Sequence, residues 1–251
     1  MSEPILEMKN ISKNFGSVIA LKNVDLEVYP GEIRGLIGEN GSGKSTISSI
    51  AAGMQKATSG RMTFKKQSWE PASMIDALQN GIGMVVQESG TISGVTVAEN
   101  IFLAELSQFR NKLGMINKKA MNQKATEAMR AIGVEHVIGD MPIDSLDFQT
   151  RKLVEIAKVM LKNPDILVID ETSTALSQDG REIMYSLIRK LRDSGKAIIF
   201  ISHDLDVIRA VCQRVAVMHQ GKIVEMGTAE EVFGNPQHDY TKKLLSARMM
   251  I

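Results

Sequence analysis

Alternating apolar and polar positions predict β-strands over the first part of the chain. Residues 5–11 (ILEMKNI) and residues 18–28 (VIALKNVDLEV) both alternate, which is the pattern of strands with one buried face. A proline-glycine turn then leads into a third, largely apolar strand at Ile33–Ile37, followed by a glycine-rich loop and a helix that begins near Lys44. The chain is therefore expected to open with antiparallel strands and a strand–loop–helix unit.

Short apolar strands recur further along the chain and alternate with helical patterns. They are expected at residues 83–86, 166–169, 197–201 and 214–218, with a helical pattern at residues 180–192 between two of them. Such strands are too uniformly apolar to face water on either side. The alternation predicts an α/β fold with a mostly parallel sheet that helices cover on both faces.

The middle of the chain carries helical spacing with few β-branched runs. Residues 98–106, 117–132 and 150–161 each place apolar side chains at intervals of three and four. This stretch is predicted to form an α-helical subdomain inserted into the α/β core. Its methionines are expected to fill gaps in the packing and not to form a ligand site; they are Met115, Met121 and Met129.

Composition sets limits on the class of protein. The 251 residues include 30 Lys and Arg against 29 Asp and Glu, a net charge of +1, which argues against a generally basic nucleic-acid binder. A single cysteine and four scattered histidines favour a reducing compartment and give no zinc framework. No apolar run approaches the roughly 18 residues of a spanning helix, and the first ten residues lack a signal-peptide core. A cytosolic globular protein is expected.

The glycine-rich loop fills every fixed position of the phosphate-binding pattern G-x-x-x-x-G-K-[ST]. It also lies between a predicted strand and a predicted helix, the context in which the pattern acquires meaning. Its backbone N–H groups would surround phosphates, its lysine would neutralise β- and γ-phosphate charge, and its serine hydroxyl would bind Mg²⁺. The nucleotide-binding residues expected here are Gly38, Glu39, Asn40, Gly41, Ser42, Gly43, Lys44, Ser45 and Thr46.

Two carboxylates follow the buried strand predicted at residues 166–169. Asp170 is placed to hold Mg²⁺ through water, and Glu171 could orient or deprotonate the attacking water. Taken alone, such a pair is often a helix N-cap or a solvated turn. Combined with the phosphate loop, it predicts the acidic half of a nucleotide hydrolysis site.

With these two motifs, the chain resembles the ATP-binding cassette (ABC) ATPases over nearly its whole length. The resemblance also rests on Phe15 in KNFG, Gln87 in GMVVQE and His203 in IFISHDLD. It implies that Phe15 stacks on adenine, that Gln87 senses Mg²⁺ and the water, and that His203 contacts the γ-phosphate. It further implies a P-loop NTPase with a RecA-like core, ATP and Mg²⁺ as cofactors, and ATP hydrolysis. Taken singly, Phe15 is more often a core residue, Gln87 a surface residue and His203 a hydrogen-bonded histidine at a strand end. The inference depends on their order and spacing around the two motifs.

The resemblance also suggests a single ABC ATPase domain with an internal division and a role in transport. The core is expected at residues 1–87 and 163–251, and the helical subdomain at residues 88–162. TVAENIFLAEL, VEIAK and QNGIGMVVQE look most like the ATPases of simple-sugar importers, whereas the tail FGNPQHDYTKKLLSA looks like those of peptide importers. The core motifs favour the sugar importers, among which tandem-domain chains exist, so these residues could be half of a longer chain.

Such an ATPase implies partners at a membrane. Transmembrane permease subunits and a second ABC ATPase subunit or domain are expected, with the chain peripheral on the cytoplasmic face of the inner membrane. No nucleic acid and no direct insertion into lipid are expected. A regulatory module that binds ATP with little hydrolysis is the alternative.

The chain departs from the family at residues that would contact the nucleotide bound to a partner subunit. The L-S-G-G-Q signature reads Leu146, Asp147, Phe148, Gln149 and Thr150, and the family's S-A-L-D reads Thr174, Ala175, Leu176 and Ser177. Asp147 can only accept hydrogen bonds and would repel a triphosphate, and Gln149 replaces a glycine. The residues of its own site, Lys44, Ser45, Gln87, Asp170, Glu171 and His203, are intact. We therefore expect a heterodimer or pseudo-heterodimer with one degenerate site.

Overall fold

The chain folds into two structural units, one built on two β-sheets and the other mainly helical. A computed structural model describes residues 3–86, 90–170 and 178–246, without the side chains of residues 178–181. The first unit comprises Met1–Met84, Pro164–Ser173 and Ile188–Ile251, and the second comprises Val85–Asn163 and Thr174–Leu187. The helical stretch is thus an insertion between segments of the sheet-forming unit.

The first sheet is antiparallel and contains the strands predicted at the start of the chain. Its order is β2-β1-β4-β5. The alternation in strands β1 and β2 turns residues such as Leu6 and Val28 inward, where both are fully buried. The strands are β1 (Leu6–Phe15), β2 (Val18–Val28), β4 (Ser59–Phe64) and β5 (Gln67–Ser68).

The second sheet is mostly parallel, which confirms the predicted α/β class. Its order is β10-β9-β3-β8-β7-β6, and β3 pairs in parallel with both β8 and β9. Strands β3, β7 and β8 are buried along their whole length, as strands covered on both faces must be. The strands are β3 (Ile33–Ile37), β6 (Ile82–Val85), β7 (Ile166–Asp170), β8 (Ala197–Ile201), β9 (Arg214–His219) and β10 (Lys222–Thr228).

Three short helices of the first unit begin at side chains that cap their free N–H groups. Ser73 accepts from the N–H of Asp76, Asp204 caps the next such helix, and Thr228 forms a capping box with Glu231. The helices of this unit are α1 (Lys44–Ala51), α2 (Met74–Asn80), α7 (Leu205–Val211), α8 (Ala229–Gly234) and α9 (Asp239–Ser246); α6 (Gln178–Asp193) continues from the second unit into the first.

The second unit is helical, as the spacing of its apolar residues predicts. Met121 and Met129 are buried in its core, but Met115 is 60% exposed, so the prediction that all three pack inside is wrong for Met115. Met115 lies in the loop before helix α4 and not on the apolar face of that helix. The elements are α3 (Val97–Phe102), a 3-10 helix (Leu103–Phe109), α4 (Lys118–Ala131), a second 3-10 helix (Ile143–Ser145) and α5 (Phe148–Met160).

A buried ion pair lies on the strand that leads into the phosphate loop. Arg34 has no exposed surface, and its Nε lies 2.8 Å from Oε1 of Glu32. Burial raises the pKa of Glu32 and lowers that of Arg34, while the attraction between the two opposes both shifts. Each charge therefore depends on the other to remain ionised inside the protein.

Replacing Arg34 by methionine is expected to destabilise the fold by about 3 kcal/mol, because the Glu32 carboxylate is left buried without its partner. The measurement is the free energy of unfolding in urea at pH 7. Lys66→Met, which breaks the exposed Lys66–Glu3 pair, is the matched control and should leave the stability unchanged. Equal stabilities for the two variants would contradict this assignment.

Candidate functional site

The phosphate loop connects buried strand β3 to helix α1 at the carboxyl ends of the parallel strands. Ligands of open α/β sheets bind at this edge, because the crevices there lie beside helix N-termini. Helix α1 begins at Lys44 and has Gly43 at its N-cap, with no side chain capping the free N–H groups. Its N-terminus is therefore open toward the loop and favourable for an anion.

The loop follows a path that only glycine can take at two positions. Gly38 has φ +147° and Gly43 has φ +106°, both in the left-handed region. A Cβ on Gly38 would overlap the carbonyl oxygen of Met218, and one on Gly43 would lie 2.9 Å from the carbonyl oxygen of Ala20. The glycines thus let strands β9 and β2 approach the loop backbone closely.

Lys44 folds back into the loop. It is 5% exposed, and its ammonium donates to the carbonyl oxygens of Gly38 and Glu39, each at 2.8 Å. Burial lowers the pKa of Lys44, and the nearby Asp170 and Glu39 carboxylates act in the opposite direction. An ammonium held in this way is a fixed positive charge at the point where the motif predicts phosphate.

Asp170 and His203 are brought to the same place by neighbouring parallel strands. Asp170 is the last residue of β7 and is 7% exposed, and His203 follows the end of β8. The pKa of His203 is lowered, first by desolvation and then by the charge of Lys44, while Asp170 acts to raise it. Lys44, Asp170 and His203 therefore interact electrostatically with one another in the structure.

Phe15 lies at the hairpin end of strand β1, where it pairs with Val18 of β2. Its ring is 46% exposed, and the ammonium of Lys13 lies 4.9 Å from the ring centroid. Ala20 and Leu21, two and three residues further along β2 from Val18, are those that approach the phosphate loop at Gly43. Phe15 therefore offers an aromatic face on the side of the unit that carries the loop.

The residues expected to hold Mg²⁺ fit that ion by their chemistry. Over residues 3–86, 90–170 and 178–246, no group of three or more His, Cys, Asp or Glu is arranged to hold a metal. Mg²⁺ needs no such cage, because it keeps several waters and is bound through one or two carboxylates and substrate phosphates. The buried carboxylate of Asp170 and the hydroxyl of Ser45, exposed on the first turn of α1, are oxygen donors of that kind.

The segment that the sequence predicts to be a degenerate signature lies at the start of helix α5 in the second unit. Phe148, Gln149 and Thr150 lie in its first turn, and Leu146 precedes the N-cap residue Asp147. The carboxylate of Asp147 accepts the N–H of Thr150 at 2.7 Å, and this backbone hydrogen bond is the main cause of its lowered pKa. The carboxylate of Asp147 therefore already accepts one of the free N–H groups at the N-terminus of α5.

Three of the residue sets expected at the site lie outside the described residues. They are Gln87, Glu171 and the run Thr174, Ala175, Leu176 and Ser177. Their expected roles remain predictions from the sequence.

Tyr240 contacts the phosphate loop although no motif indicates it. Its hydroxyl accepts a hydrogen bond from the backbone N–H of Glu39 at 3.0 Å. The tail that contains it stands out in the sequence only by its resemblance to another group of importers. No local pattern connects that tail to a loop about 200 residues earlier.

Comparisons of sequence relate the chain to transport proteins. A family model described as ABC transporter matches residues 21–174. The chain is 41% identical over 224 residues to ribose import ATP-binding protein RbsA 2 of Escherichia coli O157:H7, covering 89% of this chain and 43% of that protein. It is 35% identical over 244 residues to ribose import ATP-binding protein RbsA of Streptococcus agalactiae serotype III, covering 97% and 48%. The chain thus spans about half the length of these curated relatives.

Comparisons of structure give the same architecture. An ATP-binding cassette of an ABC transporter in its ADP conformation superposes with a TM-score of 0.82 at 26% identity, covering 99% of both chains. A dimeric post-hydrolysis cassette bound to ADP and Pi gives 0.75 at 25% identity, covering 89% of this chain and 98% of that one. The predicted P-loop NTPase fold is confirmed. Among the described residues, no helix is both long enough and apolar enough to cross a membrane.

Gly38→Ala is expected to weaken ATP binding by more than about tenfold. The new Cβ would overlap the carbonyl oxygen of Met218 and push the loop away, and the Gly38 carbonyl that holds Lys44 would move with the loop. Calorimetric titration with ATP measures the affinity. Gly195→Ala is the matched control, since Gly195 also has a positive φ (+88°) but nothing lies within 4 Å of its Cβ position. Unchanged ATP affinity in Gly38→Ala would show that the loop path is not required.

Proposed function

Because the chain belongs to the ABC transporter family, we propose that it binds and hydrolyses ATP as the nucleotide-binding subunit of an importer. The observation that carries this proposal is the buried ammonium of Lys44, held by loop carbonyls beside Asp170 and His203. A positive charge fixed beside an open helix N-terminus suits a polyphosphate. The glycine path of the loop supports the same ligand.

The proposed chemistry is attack of water on the γ-phosphate in line with the leaving oxygen. Lys44, the loop N–H groups and the α1 N-terminus would stabilise the negative charge that develops on the phosphoryl oxygens. Mg²⁺, held by Ser45 and Asp170, would neutralise phosphate charge when bound. His203, whose pKa is lowered by burial and by the charge of Lys44, would donate a hydrogen bond to the γ-phosphate.

Three further roles are proposed, two of them from the sequence alone. Glu171 would orient the attacking water or accept its proton, and Gln87 would contact Mg²⁺ and that water. Phe15 would stack on the adenine ring, for which its exposed face is suited. Of these three residues, only Phe15 lies in the described part of the chain.

The solute is proposed to be a sugar or a similar small molecule. The support is the likeness to proteins named for ribose import, at 35–41% identity over most of this chain. The alternative, a peptide importer, rests on the tail FGNPQHDYTKKLLSA. The hypothesis of a sugar importer has the wider support, because the region that matches those relatives covers the core motifs and not only the tail.

We propose that the working unit contains two nucleotide-binding domains, only one of whose sites is fully equipped. This chain would contribute its intact phosphate loop to one site and the α5 N-terminus to the other. Since Asp147 already caps that N-terminus and bears a negative charge, a triphosphate arriving there would meet an occupied N–H and a repelling carboxylate. The other subunit of a heterodimer, or the second half of a longer chain, would supply an intact signature to this chain's phosphate loop.

The proposed partners are transmembrane permease subunits, with the chain peripheral on the cytoplasmic face of the inner membrane. Contact with lipid or nucleic acid is not part of the proposal, given the net charge of +1. The second candidate function is a switch module that binds ATP and scarcely hydrolyses it. The self-capped signature helix favours it, whereas the clustered Lys44, Asp170 and His203 favour hydrolysis.

One experiment separates these functions. ATP turnover is measured for the purified chain alone and after mixing with a cassette that has an intact signature but an inactivated phosphate loop. We expect tight ATP binding with slow turnover alone and a large rise in turnover on mixing. Fast turnover by the chain alone would contradict the asymmetric dimer, and binding without turnover in the mixture would favour the switch.

Replacing Asp147 by serine together with Gln149 by glycine is expected to strengthen ATP-driven dimerisation of this chain about tenfold. Removing a repulsion of roughly 1.4 kcal/mol accounts for that factor. Analytical ultracentrifugation with and without ATP measures it. Asp147→Asn is the matched control: it retains the helix cap but removes the charge, so it should give part of the gain. No gain in either variant would contradict the electrostatic account.

A further inference from the structure

The C-terminal segment places one side chain directly on the phosphate loop. Tyr240, in the first turn of α9, is 9% exposed, and its hydroxyl lies 3.0 Å from the N–H of Glu39. Its ring stacks on His219 at the end of β9, with centroids 3.8 Å apart and planes inclined by 26°. The hydroxyl is therefore aimed at the loop by a ring that has little freedom to move.

The hydrogen bond from Glu39 fixes one end of a peptide group whose other end holds Lys44. The peptide between Gly38 and Glu39 has a carbonyl that accepts from the Lys44 ammonium at 2.8 Å and an N–H that donates to Tyr240 at 3.0 Å. Gly38 lacks a Cβ and adopts φ +147°, so its own conformational preference does little to orient this peptide. The two hydrogen bonds together define the plane of the peptide.

Tyr240 is itself held in place by the strand before it. Oxygen atoms of the Glu225 carboxylate on β10 accept the N–H groups of Gln237 and His238, at 2.7 and 3.0 Å. Nδ1 of His238 then accepts the N–H of Tyr240 at 3.1 Å. A continuous series of hydrogen bonds thus runs from the sheet through the start of α9 to the phosphate loop.

We propose that Tyr240 is a positioning residue of the nucleotide site. Its hydroxyl orients the Gly38–Glu39 peptide so that the Gly38 carbonyl keeps the Lys44 ammonium in place for phosphate. The inference rests on the proposed function of the loop and adds to it a contribution from the C-terminal segment. Removing the hydroxyl leaves the peptide plane defined by one hydrogen bond, so Lys44 is less well ordered before ATP arrives and binding is weaker.

The test begins with Tyr240→Phe, which removes the hydroxyl and keeps the ring on His219. ATP affinity, measured by calorimetry, should fall about threefold to tenfold, as expected for the loss of one hydrogen bond. The matched control is Tyr29→Phe, which removes a hydroxyl that donates to Glu27 at 2.6 Å on strand β2 and should leave ATP affinity unchanged. Equal affinity in Tyr240→Phe and the wild-type chain would overturn the inference.

A double-mutant cycle with Lys44→Ala separates positioning from a general structural role. If Tyr240 acts through Lys44, Tyr240→Phe should cause no further loss of ATP affinity in the Lys44→Ala background. The same threefold to tenfold loss in both backgrounds would overturn the inference. Unchanged ATP affinity in Lys44→Ala would overturn the proposed function as well, whereas a loss in Lys44→Ala but none in Tyr240→Phe overturns the inference alone.

Amide hydrogen exchange tests the contact in the folded wild-type chain, independently of how well the variants fold. The Glu39 N–H should exchange slowly because Tyr240 accepts it, and it should exchange faster in Tyr240→Phe while the amides of strand β3 are unaffected. Rapid exchange of the Glu39 N–H in the wild-type chain would overturn the inference.

Discussion

A buried ammonium group inside a loop of glycines is the constraint on which the rest of the site depends. Lys44 has lost almost all contact with water, so the carbonyl oxygens of Gly38 and Glu39 must replace its hydration. That requirement explains the backbone path at Gly38, where any Cβ would overlap strand β9. It also explains why the loop begins at the end of a fully buried strand, which gives it a rigid base.

The N-terminus of helix α1 in the first unit has no side-chain cap, whereas that of helix α5 in the second unit is capped. Helix α1 begins at a glycine with no side-chain cap, so its first N–H groups are available to phosphate. Helix α5 begins at Asp147, whose carboxylate takes the N–H of Thr150. The same physical feature, an electropositive helix end, is thus open where the chain would bind its own nucleotide and closed where it would contact a partner's. This difference is the structural basis for proposing one competent and one degenerate site.

The sequence predicts what depends on local pattern and fails where distant segments meet. The alternation of β2 gives its bounds, the phosphate motif lies between the predicted strand and helix, and the family resemblance is confirmed by the model match over residues 21–174. Helix α5 starts at Phe148, two residues before its apolar pattern, because Asp147 caps it there. The contact of Tyr240 with Glu39 joins segments about 200 residues apart, and no spacing rule encodes such a pair.

The most direct test of this account is a comparison of ATP and AMP binding to the isolated chain by titration calorimetry. If the buried Lys44 and the open α1 N-terminus bind the β- and γ-phosphates, one ATP should bind per chain, and AMP should bind at least about 100-fold more weakly. AMP retains the base, the sugar and the α-phosphate, so this difference reports on the groups that bind the β- and γ-phosphates. Similar affinities for the two nucleotides would contradict the account.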